Sequence, residues 1–255
     1  MSVKSAARVL EIMELLADND QGLSVKEISA SLDFPQSSTF NIIQTMFTEG
    51  YLTQSADKRY KLGPKFIRIG TKALKAFDLH SDARPLLQQL MEKVEETVFM
   101  AVLSGKEIVY IAKVNNNRSI QTSAEIGSRK PLYCTGLGKA MLAFLDTEER
   151  EVLLDAIALE ALTPKTVTNR EQLIQQLQHF KEWGYAIDDE ENEEGLYCYA
   201  APIFDASGQL KAAISTAGPK ERITKNEDTV IAQLLNTAEQ ISERLGYVKP
   251  KKEEQ

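Results

Sequence analysis

Apolar positions recur at helical spacing through the first fifty residues. In SAARVLEIMELLA, residues 5–17, Ala6, Val9, Leu10, Met13, Leu16 and Ala17 are expected on one helical face. A polar turn, DNDQG, follows. Ser24-Val-Lys-Glu27 then has the form of a capping box, in which Ser24 accepts from a first-turn N–H and Glu27 reaches back, opening a short helix to about Leu32. Asp33-Phe-Pro35 ends it, because the residue before proline disfavours helical geometry while proline suits a helix start. A third helix is expected from about Gln36 to Glu49, stopped by Gly50 beyond its C-terminus. YLTQSADKRYKLG reads as two short strands around a polar turn at Ser55–Lys58. Three helices and a hairpin follow the plan of a winged helix-turn-helix; a small helical bundle used only for dimerisation is the alternative.

Residues 64–80 are expected to continue as a linker helix, and Ser81-Asp-Ala-Arg-Pro85 to restart a helix reaching roughly Glu96. The period then falls to two. TVFMAVLSGKEIVYIAKV is a hairpin turning at Ser104-Gly105, and RSIQTSAEIG a further strand. Helices are expected at Thr135–Leu145, from Thr147 to about Ala158, and from a capping box at Thr168-Asn-Arg-Glu171 to Gly184. YCYAAPIF and LKAAISTAG form a hairpin around Asp205-Ala-Ser-Gly208. Thr224-Lys-Asn-Glu227 is expected to cap a last helix ending near Leu245-Gly246, before a disordered tail, KPKKEEQ. The fold class is α+β: an N-terminal winged helix-turn-helix over residues 1–66, a linker helix over 67–80, an antiparallel-sheet sensor domain over 81–248 and a tail over 249–255.

The third helix sharpens the choice between DNA binding and dimerisation. Ile42, Ile43 and Met46 can pack inward, leaving Gln36, Ser37, Ser38, Asn41 and Gln44 on the other side. A solvated helix face is usually rich in Glu and Lys, and this one carries neither between Gln36 and Thr48. Amides can pair bidentately with adenine in a major groove, and small hydroxyls can reach bases or phosphates. Phe40 is assigned to the core, with a thymine methyl as its alternative partner.

The net charge of −7 speaks against nucleic acid, but its distribution does not. Between Ser55 and Lys75 stand seven basic residues (Lys58, Arg59, Lys61, Lys65, Arg68, Lys72 and Lys75) and one acid, Asp57. A local stripe outweighs the total, because charge is screened beyond about 8–10 Å at physiological salt. The N-terminus lacks the apolar stretch and cleavage site of a signal peptide, and no apolar run reaches the ~18 residues of a membrane span. Two cysteines, Cys134 and Cys198, suggest no disulfide framework, so a cytoplasmic location is expected. Two cysteines and two histidines, His80 and His179, none closely spaced, offer no zinc-ligand pattern.

YCTGLGKAM, residues 133–141, has the outline of a nucleotide-binding loop. A P-loop requires glycine where Tyr133 stands and Ser or Thr where Ala140 stands, so the match fails twice. Thr135-Gly-Leu-Gly138 at a helix start would still present N–H groups to one small anion at the positive end of the helix dipole. Equally, Gly136 and Gly138 could simply allow close helix–sheet packing. The acidic run DDEENEE, residues 188–194, is expected to be a solvated loop, without the alternating acids and central glycine of a calcium site. Cys198 in an alternating strand has the setting of a buried, inert thiol. A thiol enzyme using Cys198 or Cys134 is the competing function, and no histidine adjoins either in sequence.

Taken together, these segments resemble the IclR family of transcription regulators over about residues 5–246. The resemblance is carried by SAARVLEIMELLA, LSVKEISASLDFPQSSTFNIIQTMFTEGYL and RYKLGPKFIRIG in the first part, and by PLYCTGLGKAMLA and GYAIDDEENEEGLYCYAAPIFDASGQLKAAISTAGP in the second. It implies a winged helix joined by a linker helix to a GAF-like effector domain. It implies a homodimer or tetramer that binds a double-stranded operator and represses or activates catabolic genes in answer to a small organic acid. No cofactor, metal, catalytic residue or membrane partner is implied. DNA contacts would fall on Gln36, Ser37, Ser38, Phe40, Asn41, Gln44, Lys58 and Arg59, and effector contacts on Gly136, Leu137, Asp188, Leu196, Cys198 and Ser215. Two departures stand out. Ala217 occupies a place where the family often has a second hydroxyl, and the reading helix has Gln36, Phe40 and Asn41 where Lys, His or Arg are common.

Overall fold

The computed structural model describes residues 3–69, 79–116, 118, 119, 122 and 124–249, and the chain divides into two units, residues 1–77 and 78–255. In the first, α1 (Lys4–Ala17) buries Ile12 and Leu16, with Val9 and Met13 partly covered, while Leu10 stands exposed. This departs from the expected face. The apolar stripe is broad enough to offer two centres, and the core takes the side of Ile12 rather than that of Ala6, Leu10 and Ala17. Each such buried aliphatic side chain contributes roughly 1.5–3 kcal/mol.

Helix α2 (Val25–Ser31) opens with the expected capping box: the Glu27 N–H donates to Ser24 Oγ at 3.3 Å and the Ser24 N–H to Glu27 Oε2 at 2.7 Å. Pro35 precedes α3 (Gln36–Thr48) in extended geometry. Gly50, at φ +73°, closes α3 by donating to the Phe47 carbonyl, and Tyr51 donates to that of Met46. Thr39, Ile43 and Met46 face the core. Phe40, by contrast, is 49% exposed, so the core assignment is corrected: Thr39, one position earlier, takes the inward place. Strands β1 (Leu52–Gln54) and β2 (Tyr60–Leu62) form the antiparallel wing, and Tyr60 exchanges backbone hydrogen bonds with Leu23 ahead of α2. Residues 65–69 are helical, within the stretch expected as a linker helix; residues 70–78, with Lys72 and Lys75, lie outside the described residues.

The second unit holds α4 (Leu79–Val94), β3 (Thr97–Ser104), β4 (Glu107–Val114), β5 (Arg129–Pro131), α5 (Gly136–Phe144), α6 (Thr147–Ala156), α7 (Arg170–Trp183), β6 (Ala186–Asp189), β7 (Leu196–Phe204), β8 (Leu210–Pro219), α8 (Lys220–Lys225) and α9 (Glu227–Arg244). The strands form one antiparallel sheet in the order β5-β4-β3-β8-β7-β6. Alternation along β7 and β8 sends successive side chains to opposite faces. One face, with Phe99, Cys198 and Ala213, packs under α5 and α7; the other, with Val98, Tyr199 and Ile214, packs under α4 and α9.

Four local expectations are corrected here. The described residues of 118–127 form bends and a turn rather than a strand, because the chain meets β4 only at their end, where the Gly127 N–H donates to Tyr110 and Gly127 turns at φ +86°. Helix α4 runs through Ser81–Pro85 without restarting. Asn169, not Thr168, caps α7, accepting from the Gln172 N–H at 2.9 Å. Thr224 lies inside α8 and donates to the Lys220 carbonyl, and no side chain caps α9.

Candidate functional site

On α3 the side chains of Gln36, Ser37, Phe40 and Asn41 are exposed, and among the described residues none of the three polar ones has a hydrogen-bond partner. Of the remaining expected DNA contacts, Ser38, Gln44 and Arg59 are engaged within their own unit. Ser38 Oγ donates to the Pro35 carbonyl at 2.9 Å and accepts from Arg8 at 3.4 Å. Gln44 Nε2 donates to Tyr60 Oη at 2.8 Å, tying α3 to the wing. Arg59 donates to the Gly22 carbonyl and to Glu27 Oε1, both at 2.9 Å. With Ser24, it holds the Glu27 carboxyl below the usual range, the Ser24 N–H contributing most. Arg59 therefore clamps the wing onto the start of α2, whereas Lys58, at φ +62° in the wing turn, is exposed.

All six expected effector residues line one small cavity in the second unit, of about 40 Å³. Their convergence follows from register. Asp188 of β6 lies opposite Cys198 of β7, which lies opposite Ala217 of β8; one row along, Ser215 lies between Ala200 and Phe99. Side chains at these positions share one face, and Gly136 and Leu137 bring the start of α5 over it. Ala217 lines the cavity as expected, so that position supplies a methyl group where a hydroxyl is common.

The two glycines of the TGLG segment do different work. A Cβ on Gly138 would run into the backbone of Leu132, so Gly138 is a packing device. A Cβ on Gly136 would come within 2.7 Å of Cys198 Sγ, at the cavity wall. Thr135 absorbs two N–H groups of the helix start, that of Gly138 through Oγ1 at 3.1 Å and that of Lys139 through its carbonyl at 2.8 Å. The Leu137 N–H has no acceptor among the described residues and lies at the cavity.

DDEENEE is not simply a solvated loop. Asp188 is 2% exposed, and its Oδ1 accepts from the N–H groups of Glu191 at 2.8 Å and Asn192 at 3.3 Å. Burial pushes its carboxyl up to about 7, against the opposing pull of Lys139 and those two N–H groups. Glu191 is buried too and pairs with Lys139 of α5 at 2.5 Å. Asp189 and Glu190 meet Lys165 and Lys220 at the surface, and those lysines, with the Gly195 N–H, hold the Glu190 carboxyl down to about 2. Only Glu193 and Glu194 are fully exposed acids of the run.

Sequence reasoning missed the Lys139–Glu191 pair, although its signal was present: a lysine inside GLGKAMLAF, an otherwise apolar helix that offers it no solvated face. It also missed Phe99, Tyr110, Lys130 and Asn192 on the cavity wall, which lie far apart in sequence and meet only through strand order.

Both cysteines are buried free thiols, and burial pushes each up to about 12. A thiolate nucleophile is therefore disfavoured at neutral pH. Among the described residues no group of side chains could hold a metal ion, and no helix is long and apolar enough to cross a membrane.

Comparison with known proteins assigns both parts of the chain to one family. Residues 5–56 match the model of the IclR helix-turn-helix domain, and residues 71–243 that of the bacterial transcriptional regulator IclR C-terminal domain. The chain is 33% identical over 248 residues to the HTH-type transcriptional regulator KdgR of Escherichia coli, covering 96% of this chain and 94% of that protein. It is 34% identical over 247 residues to the HTH-type transcriptional repressor AllR of Salmonella typhimurium, covering 95% and 90%. The crystal structure of the Agobacterium tumefaciens repressor BlcR superimposes with a TM-score of 0.82 at 29% identity, covering 97% of this chain and 99% of that one. These relatives are regulators, and the thiol-enzyme alternative finds no support.

Proposed function

We propose that this chain, which belongs to the IclR family of bacterial transcriptional regulators, represses a catabolic operon under the control of a small carboxylate metabolite bound in the cavity of its second unit. The observation that carries this reading is the convergence of Gly136, Leu137, Asp188, Leu196, Cys198 and Ser215, far apart in sequence, on one concave wall. The unpaired Leu137 N–H offers the ligand a donor, and Asp188 offers its hydroxyl groups an acceptor. In the first unit, the exposed amides and hydroxyl of Gln36, Ser37 and Asn41 have the chemistry to read base edges, with Lys58 on phosphate. Helix-turn-helix proteins commonly read two half-sites as dimers, which fits a homodimer or a tetramer.

The experiment is a selection from random-sequence duplex DNA with the purified full chain. One defined, repeatedly enriched sequence is expected. Recovery of duplexes with no common sequence would refute sequence-specific binding, and with it the proposed function.

A further inference from the structure

Among the described residues, the cavity wall carries two carboxylates, Asp188 and Glu193, and a single ammonium, Lys130. Around it, the cations of the same unit are committed: Lys139 to Glu191, Lys113 to Glu125, Arg129 to Glu107, and Lys165 and Lys220 to Asp189 and Glu190. Lys130 has no carboxylate partner among the described residues. It sits on β5 opposite Ile108, and Ile108 and Tyr110 share the face of β4 that looks onto the cavity, so the Lys130 stem lies along that face and is half-buried.

The far side of the cavity has the opposite character. Asp188 is a buried carboxyl whose Oδ1 accepts from two backbone N–H groups, and as it ionises it repels a second negative group placed beside it. Beside it, Asn192 Oδ1 is buried and accepts from nothing among the described residues. Both atoms call for donors, which a hydroxyl supplies and a carboxylate does not. A ligand that satisfies the whole wall carries negative charge at one end and hydroxyl groups at the other.

We propose that Lys130 is the specificity-determining cation of this cavity, receiving the carboxylate of a short polyhydroxy acid whose hydroxyls donate to Asp188 and Asn192. The assignment rests on the cavity being the effector site, and it adds the ligand's polarity and the residue that selects its charge.

Isothermal titration calorimetry on the full chain tests it with D-glycerate, D-threonate and D-gluconate, and with the uncharged polyols glycerol, threitol and sorbitol. At least one acid is expected to bind and its polyol not to. Lys130→Gln should weaken that acid at least about tenfold, as loss of a charge-assisted hydrogen bond does, with an unchanged melting temperature. Lys130→Arg should recover much of the lost affinity, because it keeps the positive charge and a guanidinium can donate to a carboxylate. Unchanged affinity in Lys130→Gln, with binding still lost in Asp188→Asn and Ser215→Ala, overturns the role of Lys130 and leaves the cavity as the site. Binding indifferent to all three substitutions removes the cavity reading as well. Polyols binding as tightly as their acids, or no acid binding at all, also overturns the proposal.

Discussion

On α3, Gln36, Ser37 and Asn41 stand in solvent and bond nothing among the described residues of their own unit, whereas around the cavity Asp188, Lys139 and Glu191 are withdrawn from water and tied to the fold. An exposed reading surface can be altered at little cost to stability, because its side chains are already solvated in the free protein. A buried site keeps its charges only by pairing and hydrogen-bonding them, so the same residues bear on folding and on protonation together. The contrast extends to single cations. Arg59 serves the fold, and Lys58, next to it in sequence, is left to the solvent.

The strongest way to break this contrast is at the buried ion pair. Glu191→Gln should destabilise the protein by about 3–5 kcal/mol in urea unfolding, since it leaves Lys139 charged without its partner. The double substitution Lys139→Met, Glu191→Leu should recover most of the loss. A cost below ~1 kcal/mol in the single variant would mean that the pair is solvated.

Next in size is a pH effect confined to the cavity. The Asp188 carboxyl is raised from its ordinary value to about 7 by burial, so its contribution to stability is complete below about pH 4 and is lost as pH rises towards and through 7. Asp188→Asn keeps an oxygen to accept from Glu191 and Asn192 and should flatten that part of the stability–pH curve. An identical slope in wild type and variant would place the titration elsewhere.

The exposed surface should respond the other way. Asn41→Ala should leave the melting temperature unaltered and cost about 1–3 kcal/mol of discrimination between specific and random duplex. Retained selectivity in competition binding would move the reading surface off this part of α3. Smallest is the wing: Lys58→Ala should weaken specific and random duplex alike and flatten the salt slope by about 0.9, the value for one phosphate contact. Anisotropy titrations across a salt series measure it directly.

Local chemistry made much of the first unit legible. The Ser24–Glu27 box, the proline ahead of α3 and Gly50 after it act on neighbouring residues, and each does what the sequence implies. Hairpins such as β7–β8 are equally local. Legibility failed where a choice depended on tertiary packing: which side of α1 turns inward, whether Thr39 or Phe40 fills the core, and where β5 joins the sheet edge. The cavity was half legible. The family resemblance supplied Asp188, Cys198 and Ser215, but no local pattern places Lys130 of β5 on the wall that those residues share. The engagement of Ser38, Gln44 and Arg59 within the fold was equally hidden, since each looks available until its neighbour across the chain is known.

Occupation of the cavity is expected to govern DNA binding, which is measured most directly by titrating one acid into a complex of the full chain with its selected duplex and following fluorescence anisotropy. An acid that binds the protein by calorimetry should change the Kd for the selected duplex, and in Ser215→Ala both the acid's affinity and the change in Kd should disappear while the duplex is still bound. An acid that binds with wild-type affinity and leaves the Kd for DNA untouched would contradict the account.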